Sequence, residues 1–446
     1  MKGSRKVTGV KISVIGCGYL GAVHAASMAE LGHDVIGIDV DPVRIESLGK
    51  GLAPFHEPGF DALLQKNSSR LIFTTDMAAT SDATVHFVAV GTPQSADGSA
   101  DMTYVNSAIE GLIPHLSAGD LVVGKSTVPV GTAERLAEVV APTGAFLMWN
   151  PEFLREGFAV EDTLSPDRLV YGVPDGTDGQ RATTMLDEVY APILEKDTPR
   201  LVMNFATAEL VKVAANSFLA TKISFINAMA EIADVTGADV TQLADAIGYD
   251  TRIGRRFLNA GIGFGGGCLP KDIRGFVARA EQLGVGESLS FLKDVDDINL
   301  RRRARVVDVL KEELGNLSGK TIAVWGISFK PDSDDIRDSP ALDIAESLAR
   351  AGATVVSADP EGWKPAQARI ERAGLSASLT TTSDHRAAVS GADALVIATE
   401  WKVFQDEDPS AVAKLMAQQL VVDGRNCLDA DAWRAAGFRY RGMGRA

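Results

Sequence analysis

Cys268 is the residue of this sequence best suited to covalent chemistry. It follows three glycines, residues 265–267, and lies two residues before Pro270, a residue favoured in the first turn of a helix. The thiol is therefore expected near the positive end of a helix with Lys271 close by, and both features favour the thiolate. A thiolate beside a hydride acceptor can add to an aldehyde, and the adduct can lose a hydride and then be hydrolysed as a thioester. From the residues alone, a packing role is equally open.

Four other side chains could handle protons and oxyanions. Lys212 and Asn216 are four residues apart, which places them on one face of a helix, where they could polarise a substrate hydroxyl and hold developing negative charge. Glu152 and Asp272 are the candidate acids and bases. The structural alternatives are an exposed lysine with an incidental asparagine, and carboxylates that stabilise helix N-termini.

Gly16, Gly18 and Gly21 have the spacing of a dinucleotide-binding turn, with a strand pattern before them and a helix pattern after them. The helix N-terminus could receive a pyrophosphate. Asp39 ends the next strand, where a carboxylate accepts from ribose hydroxyls and repels a 2′-phosphate, so we expect NAD rather than NADP. The alternative is a tight turn with a packing role. Cys17 within the turn is expected to be a small buried residue.

Strand patterns alternate with helical patterns in both halves of the chain, which is typical of parallel sheets. The arrangement of the first half restarts at residue 321, and the strand at 353–358 leads into Asp359 much as 35–40 leads into Asp41. The fold class is therefore predicted to be α/β, with two Rossmann-like doubly wound parallel sheets joined by a central long helix and an α-rich segment. Further strands are predicted at 10–15, 84–90, 121–124, 145–149, 394–399 and 419–423.

The middle of the chain is predicted to be helical. Residues 206–236 contain neither Pro nor Gly, which predicts one long helix that could act as a spacer and as a dimer surface. A second α-rich stretch is expected at 239–314, broken by the glycine-rich segment 261–267. The arginines at 301–303 are expected on a solvated helix face with mixed charges, with an anion site as the alternative.

Composition limits the classes of function. The 446 residues carry 44 Lys and Arg against 59 Asp and Glu, so the net charge of −15 makes nucleic acid an unfavourable partner. The three cysteines are far apart and form no CxxC pair, which argues against a disulfide framework or a zinc site and fits a reducing cytoplasm. No apolar run reaches the roughly 18 residues of a membrane span, and the apolar stretch after Lys11 is too interrupted for a signal peptide. We expect a cytoplasmic protein with no bound metal.

Three segments, 125–132, 150–157 and 263–272, together with the glycine turn and the Lys212 helix, resemble the UDP-glucose/GDP-mannose 6-dehydrogenase family. The resemblance covers essentially the whole chain. It implies a four-electron oxidation of a nucleotide-sugar CH2OH group to a carboxylate with two NAD, and UDP-glucose is the expected substrate. It also implies an NAD-binding domain at 1–203, a central dimerisation domain at 204–317 and a UDP-binding domain at 318–446.

The resemblance assigns roles to individual residues. The catalytic residues it implies are Cys268, Lys212, Asn216, Asp272, Glu152 and Thr127. Glu152 would act with Thr127 through water in thioester hydrolysis, and Asp272 would hold a water or assist Lys212. The cofactor contacts it implies are Gly16, Gly18, Tyr19, Leu20, Gly21, Asp39, Arg44, Thr92, Ser126, Glu156, Lys271 and Arg337. The substrate contacts it implies are Phe153, Leu154, Arg155, Lys212, Asn216, Arg252, Phe257, Asn259, Gly265, Phe329, Lys330 and Arg425.

In the family pattern Arg252 reaches the site of a neighbouring subunit, which implies a homodimer or a larger homo-oligomer. The chain departs from the pattern at Gly267, where serine is usual, at Asn259, where lysine is sometimes found, and at Leu20, where valine is usual. The first two departures leave open GDP-mannose or a UDP-N-acetylhexosamine as substrate. Two further classes of function stay open, a two-electron hydroxyacid dehydrogenase and a non-catalytic nucleotide sensor. The number of NADH molecules formed per substrate separates the three classes: two for the nucleotide-sugar dehydrogenase, one for the hydroxyacid dehydrogenase and none for the sensor.

Overall fold

The computed structural model describes residues 9–445 and divides between residues 215 and 216 into two compact units, each built on one sheet. The first unit has eight strands in the order β3-β2-β1-β4-β5-β6-β7-β8. The strands are β1 (Lys11–Ile15), β2 (Asp34–Ile38), β3 (Leu71–Thr74), β4 (Val85–Val88), β5 (Leu121–Gly124), β6 (Phe146–Trp149), β7 (Leu169–Gly172) and β8 (Arg200–Met203). Neighbouring strands are parallel except β6 and β7, which pair antiparallel at Trp149 and Gly172.

Helices connect these strands and cover the sheet. They are α1 (Tyr19–Glu30), α2 (Pro42–Gly49), α3 (Phe60–Lys66), α4 (Thr103–Leu112), α5 (Thr132–Val140), α6 (Ala159–Leu164), α7 (Gly176–Val189) and α8 (Ala191–Leu194). Alternate strand residues face opposite sides, so Val14 and Phe87 pack in one apolar cluster while Ile15 and Val88 pack in another. Both faces of the sheet are therefore buried, as parallel sheets require.

The second unit has six parallel strands in the order β11-β10-β9-β12-β13-β14. They are β9 (Thr321–Trp325), β10 (Thr354–Ala358), β11 (Leu379–Thr382), β12 (Ala394–Ile397), β13 (Leu420–Asp423) and β14 (Arg439–Gly442). The helices from the unit boundary onward are α9 (Phe205–Thr236), which crosses the boundary, α10 (Val240–Gly248), α11 (Leu269–Gln282), α12 (Phe291–Leu314), α13 (Pro340–Arg350), α14 (Trp363–Arg372), α15 (His385–Val389), α16 (Lys402–Gln405), α17 (Pro409–Leu415) and α18 (Ala430–Ala435).

The predicted fold class is confirmed, and the predicted strands and the long helix agree with the structure to within one or two residues at most ends. Helix α9 continues without a break until Gly237, whose positive φ of 75° ends it. Within residues 9–445, no helix combines the length and the apolar character needed to cross a membrane.

The prediction of a solvated face for the arginines of α12 is wrong for two of the three. Arg301 is exposed, but Arg302 and Arg303 are buried. Arg302 donates to the carbonyl of Gly261 at 3.2 Å, and Arg303 forms ion pairs with Asp338, at 2.8 Å, and with Asp343. Charge pattern alone could not reveal this, because the partners of these arginines are distant in sequence.

Buried histidines give the first unit a predicted pH dependence. His24 of α1 is buried against Phe87, and burial together with the charge of Lys125 holds its pKa well below 6.5. Below about pH 6.5 the unfolded chain binds a proton that the folded chain does not, so the free energy of unfolding falls by up to about 1.4 kcal/mol per pH unit. His24→Leu should reduce the slope of the free energy of unfolding against pH by the contribution of one proton. Burial also lowers the pKa of His33 and of His86, so part of the slope should remain.

Urea denaturation of wild type and His24→Leu between about pH 7 and about pH 5 measures both slopes. Equal slopes for the two proteins would contradict the assignment of the proton to His24.

Candidate active site

The three glycines of the turn after β1 have three different structural roles. Gly16 has a φ of 91°, and a side chain there would collide with Val90. A side chain at Gly21 would overlap the carbonyl of Gly16, so glycine is needed for α1 to approach the turn. Gly18 faces open space, which leaves its backbone accessible at the N-terminus of α1. These are the features that a pyrophosphate site on this fold needs, and the residues present fit NAD.

Asp39 lies directly after β2 and fixes this turn. Its carboxylate accepts from the amide of Cys17 at 2.8 Å, and its two oxygens accept from Nη1 of Arg44 at 2.9 and 3.0 Å. Cys17 is buried, as predicted, and burial raises the pKa of its thiol well above the usual range. Two predicted cofactor residues, Asp39 and Arg44, are therefore in direct contact.

Tyr19, the first residue of α1, joins the turn to the loop after β6. Its hydroxyl contacts the carboxylate of Glu57 and accepts from the amide of Gly157 at 3.0 Å. Glu57 also accepts from the amide of Ala159 at 2.7 Å and so holds the start of α6. Burial and the contact with Glu57 raise the pKa of Tyr19. Leu20 and Glu156, the predicted residues next to this connection, are partly buried.

The segment that follows β5 carries Ser126 and Thr127. The Ser126 hydroxyl donates to the carbonyl of Val90 at 2.6 Å, and the Thr92 hydroxyl donates to the carbonyl of Thr127 at 2.9 Å. These bonds join the carboxyl ends of β4 and β5, the edge at which ligands bind in open α/β sheets. Three predicted residues, Thr92, Ser126 and Thr127, are brought together there.

The loop after β6 holds Glu152 beside the predicted substrate amides. Oε1 of Glu152 accepts from the amides of Phe153 at 2.8 Å and Leu154 at 3.1 Å, while the Arg155 amide donates to Asp162 at 2.8 Å. The three amides are thus bound to the chain's own carboxylates in this structure. A substrate would have to replace those acceptors.

Lys212 lies on α9 with its ammonium 5.3 Å from the centre of the Phe153 ring, and the Arg168 guanidinium is 4.0 Å from that centre. Glu209, one turn earlier on α9, is buried and accepts from the amides of Gly131 and Ala133 at 2.7 Å each. These two bonds fix the first turns of α9 against the start of α5. The position of Lys212 follows from this anchor.

In the second unit Cys268 is exposed and caps α11, with Pro270 in the first turn as predicted. Asp272 is buried in that turn, where it accepts from Asn216 at 2.6 Å and pairs with Lys271 at 2.7 Å. Three predicted residues of this unit, Asn216, Lys271 and Asp272, therefore form one connected group, in which Asp272 is four residues after Cys268.

The glycines before Cys268 allow close approach of other loops of the second unit. Side chains at 265 and 266 would overlap the carbonyl of Asp338 and the ring of Phe329. A side chain at Gly267 would overlap the guanidinium of Arg337, which pairs with Asp335. The departure from serine at this position thus leaves room for Arg337.

Arg425 follows β13 and connects three loops of the second unit. Its guanidinium donates to the carbonyls of Ala398 at 2.8 Å, Gly263 at 2.9 Å and Phe329 at 3.2 Å. Lys330 lies over the Phe329 ring at 5.4 Å. Two predicted cations are therefore held at the carboxyl edge of this sheet.

The remaining predicted substrate residues lie after α10. Arg252 is 86% exposed in its side chain and pairs with Asp250 at 2.6 Å. Phe257 is exposed with a φ of 66°, and Asn259 accepts from Arg255 at 2.8 Å.

Sequence reasoning gave no role to Lys125, Glu57, Arg168 or Glu209. Lys125 lies inside the segment 125–132 and forms a buried ion pair with Glu152 at 3.1 Å. Its position at the start of that segment was the sequence feature that could have identified Lys125. The other three are recognised only from contacts between residues far apart in sequence.

The fold and these sites define an NAD-binding oxidoreductase of two α/β sheets. Three family models match the chain in order: the NAD binding domain of the UDP-glucose/GDP-mannose dehydrogenase family at residues 10–194, its central domain at 206–301 and its UDP binding domain at 323–430. The expectation of NAD as cofactor is confirmed by the first match.

Relatives extend the similarity over nearly the full length. The chain is 42% identical to UDP-glucose 6-dehydrogenase of Rhizobium meliloti, covering 98% of this chain and 100% of the relative. It is 41% identical to UDP-glucose 6-dehydrogenase of Pseudomonas aeruginosa, covering 98% of each. A solved UDP-glucose dehydrogenase from Pyrobaculum islandicum superposes with a TM-score of 0.89 at 38% identity, covering 99% of each chain. The chain therefore belongs to the UDP-glucose/GDP-mannose dehydrogenase family, as the sequence predicts.

The contact between Asp39 and Arg44 generates a prediction about cofactor choice. Asp39→Ala should raise KM for NAD about tenfold or more, since hydrogen bonds to a charged group are worth about 1.5–3 kcal/mol. It should also raise relative activity with NADP, because Arg44 loses its carboxylate and can meet a 2′-phosphate. Steady-state kinetics with both cofactors measures the ratio.

The double variant Asp39→Ala/Arg44→Ala is the control, and it should lose the gain with NADP. Unchanged NAD kinetics in Asp39→Ala would show that this carboxylate does not bind the ribose.

Proposed function

We propose that this chain oxidises the CH2OH group of UDP-glucose to the carboxylate of UDP-glucuronate in two successive two-electron steps. The observation that carries the proposal is the exposed thiol of Cys268 at the N-terminus of α11, in a chain of this family. A two-electron hydroxyacid dehydrogenase would have no use for that thiol. The names of relatives about 40% identical support UDP-glucose as the substrate.

In the first oxidation the substrate hydroxyl loses its proton and its carbon loses a hydride, which gives an aldehyde. NAD, when bound, accepts one hydride in each oxidation. We assign Lys212, with Asp272, to the proton and the Asn216 amide to the substrate oxygen. The contact of Asn216 with Asp272 at 2.6 Å supports this, because it fixes the direction in which the amide can donate its other hydrogen.

In the second oxidation the Cys268 thiolate adds to the aldehyde carbon, and the resulting thiohemiacetal loses a hydride to become a thioester. Water then cleaves the thioester, with Glu152 as the base and Thr127 as its partner through water. Lys330 and Arg425 are assigned to the diphosphate, and Phe257, Asn259 and Gly265 to the sugar and phosphates.

We propose that the working form is a homodimer in which Arg252 completes the partner's site. Phe218, Phe225 and Ile232 are exposed on α9 at intervals of seven residues, so they form one apolar stripe. A stripe of this period suits packing against a second copy of the same helix. The three-domain division at 203/204 and 317/318 and the cytoplasmic location stay predictions.

The covalent mechanism predicts different failures for two variants. Cys268→Ser should lower turnover roughly 1000-fold or more while both ligands still bind, because a serine hydroxyl is almost wholly protonated at neutral pH and alkoxide is a poor leaving group. Glu152→Gln should keep both hydride transfers and slow hydrolysis, so that a thioester accumulates. NADH absorbance and mass spectrometry after acid quench measure these outcomes.

Wild type should form two NADH per UDP-glucose, and a panel of UDP- and GDP-sugars tests the substrate. Carboxylate release by Cys268→Ser at the wild-type rate, or no adduct on Cys268 in quenched Glu152→Gln, would refute the covalent route.

The apolar stripe predicts the oligomeric state. Ile232→Asp should shift the dimer toward monomer, because a charge would be buried in the helix pair. Leu283→Asp is the matched control, since Leu283 is also 53% exposed but lies off α9. Analytical ultracentrifugation measures the mass. A dimer of unchanged stability in Ile232→Asp would place the interface elsewhere.

A further inference from the structure

Lys125 is a buried lysine at the carboxyl edge of the first sheet. It directly follows β5, as Asn150 directly follows β6, and these strands are neighbours in parallel register. The Lys125 side chain is 3% exposed, and its ammonium lies 3.0 Å from Oδ1 of Asn150, 3.1 Å from Oε2 of Glu152 and 3.4 Å from the hydroxyl of Tyr190. Three acceptors therefore surround a group that has three hydrogens.

The partners of Lys125 are themselves fixed. The Tyr190 hydroxyl donates to Oδ1 of Asn150 at 2.9 Å, and Nδ2 of Asn150 donates to the carbonyl of Val170 at 3.0 Å. Both side chains are buried. The ammonium consequently has one position available to it.

Stability is a poor reason for this arrangement. Removing an ammonium and a carboxylate from water costs several kcal/mol each, and well-packed apolar residues of the same volume are often equally stable or better. Much of the surrounding sheet is apolar and could accommodate them. A buried pair at the edge where ligands bind points instead to a role for the carboxylate that it holds.

The geometry of Glu152 indicates that role. A carboxylate has about four lone-pair directions. Oε1 accepts from two backbone amides, which uses both of its lone-pair directions, and Oε2 is held by the ion pair with Lys125 at 3.1 Å, so the directions open to a water molecule are on Oε2. The Glu152 side chain is 15% exposed, so solvent reaches part of it.

We propose that Lys125 is a positioning residue for thioester hydrolysis, because its ion pair with Oε2 of Glu152 fixes the carboxylate so that a lone pair of Oε2 orients the attacking water. The proposal rests on the proposed function, namely on Glu152 as the base. The water oxygen bonds to the thioester carbon, and the carbon–sulfur bond breaks to return the Cys268 thiolate. One water proton passes to Oε2, and the other leaves as the carboxylic acid ionises. No oxidation or reduction occurs in this step.

The test uses Lys125→Ala and Lys125→Met in the full-length protein. Both should give a rapid burst of two NADH per active site and then a steady-state rate about 10- to 100-fold below wild type, the loss expected from a misplaced catalytic group. KM for both substrates should change little, and the thioester should be found on Cys268 after acid quench. If Lys125→Ala does not fold, Lys125→Met, which fills the same volume, gives the same readouts.

Chemical rescue separates charge from packing. Propylammonium replaces the atoms that Lys125→Ala removes, so it should restore hydrolysis, whereas 1-propanol of similar size should not. Lys293→Met is the matched control, because it breaks an exposed pair with Glu281 and should leave turnover unchanged.

Hydrolysis at the wild-type rate in a folded Lys125→Met protein would overturn the proposal, as would rescue by 1-propanol as effective as that by propylammonium. Loss of the NADH burst itself would also overturn it, since the defect would then precede hydrolysis. The Glu152→Gln variant separates a failure of the Lys125 proposal from a failure of the role assigned to Glu152. Thioester accumulation in Glu152→Gln but not in the Lys125 variants rejects only the positioning role, and accumulation in neither rejects the assigned role of Glu152 as well.

Discussion

In each unit, an aspartate that directly follows the second strand accepts hydrogen bonds from the backbone of the loop that follows the first strand. Asp39 accepts from the amide of Cys17, and Asp359 accepts from the amides of Ile327 and Ser328. The loop after the first strand can turn sharply only if its amides find acceptors, because they leave the sheet without ladder partners. The glycine turn and the start of α1 depend on the Asp39 bond, and the corresponding loop at the edge of the second sheet depends on the Asp359 bonds.

The two aspartates differ in how much of the carboxylate remains accessible. Asp359 is wholly buried and is also bound by Glu361, Gly362 and Trp401. Asp39 has an arginine as its other main partner and keeps some exposure. Asp39 can therefore also contact a ribose in the first unit, whereas the carboxylate of Asp359 in the second unit is fully occupied by structural hydrogen bonds.

Sequence reasoning predicted the fold well where local pattern and burial agree. The strands near the sheet centres, such as β5 and β12, are buried along their whole length and appear in the sequence as apolar runs. The edge strands β3, β8, β11 and β14 were missed, because each has four residues with at most one of them buried, so neither length nor an apolar run marks them. The buried strand β7 was also missed, and it too has only four residues. The glycine turn was predictable because steric demands at Gly16 and Gly21 leave no other residue type.

The candidate site was predictable only in part. The residue types at Cys268, Lys212 and Asp39 are unusual enough to suggest chemistry. The partners that fix them are not visible in sequence, since Glu209 contacts residues more than seventy positions away and Lys125 meets Tyr190 sixty-five positions later. The burial of Arg302 and Arg303 is a similar case. A run of charge is ambiguous until the fold supplies acceptors, and here those acceptors are on other elements.

The net charge of −15 is a problem for a chain that must bind a nucleotide diphosphate, and the arrangement of its cations addresses it locally. Arg425 is bound to three backbone carbonyls and also to Glu400 at 3.2 Å, so its position is set before any ligand arrives. Little conformational entropy remains to be lost when a phosphate approaches it. Arg252 is the opposite case, because its side chain is 86% exposed and its only ion-pair partner among the described residues is Asp250, two residues away, in a pair that water and salt screen. An arginine so weakly held can exchange its carboxylate for an anion on another molecule at small cost. The chain therefore has a fixed cation, Arg425, and an exchangeable one, Arg252. Arg252 is the residue that the dimer proposal requires to reach the partner's site.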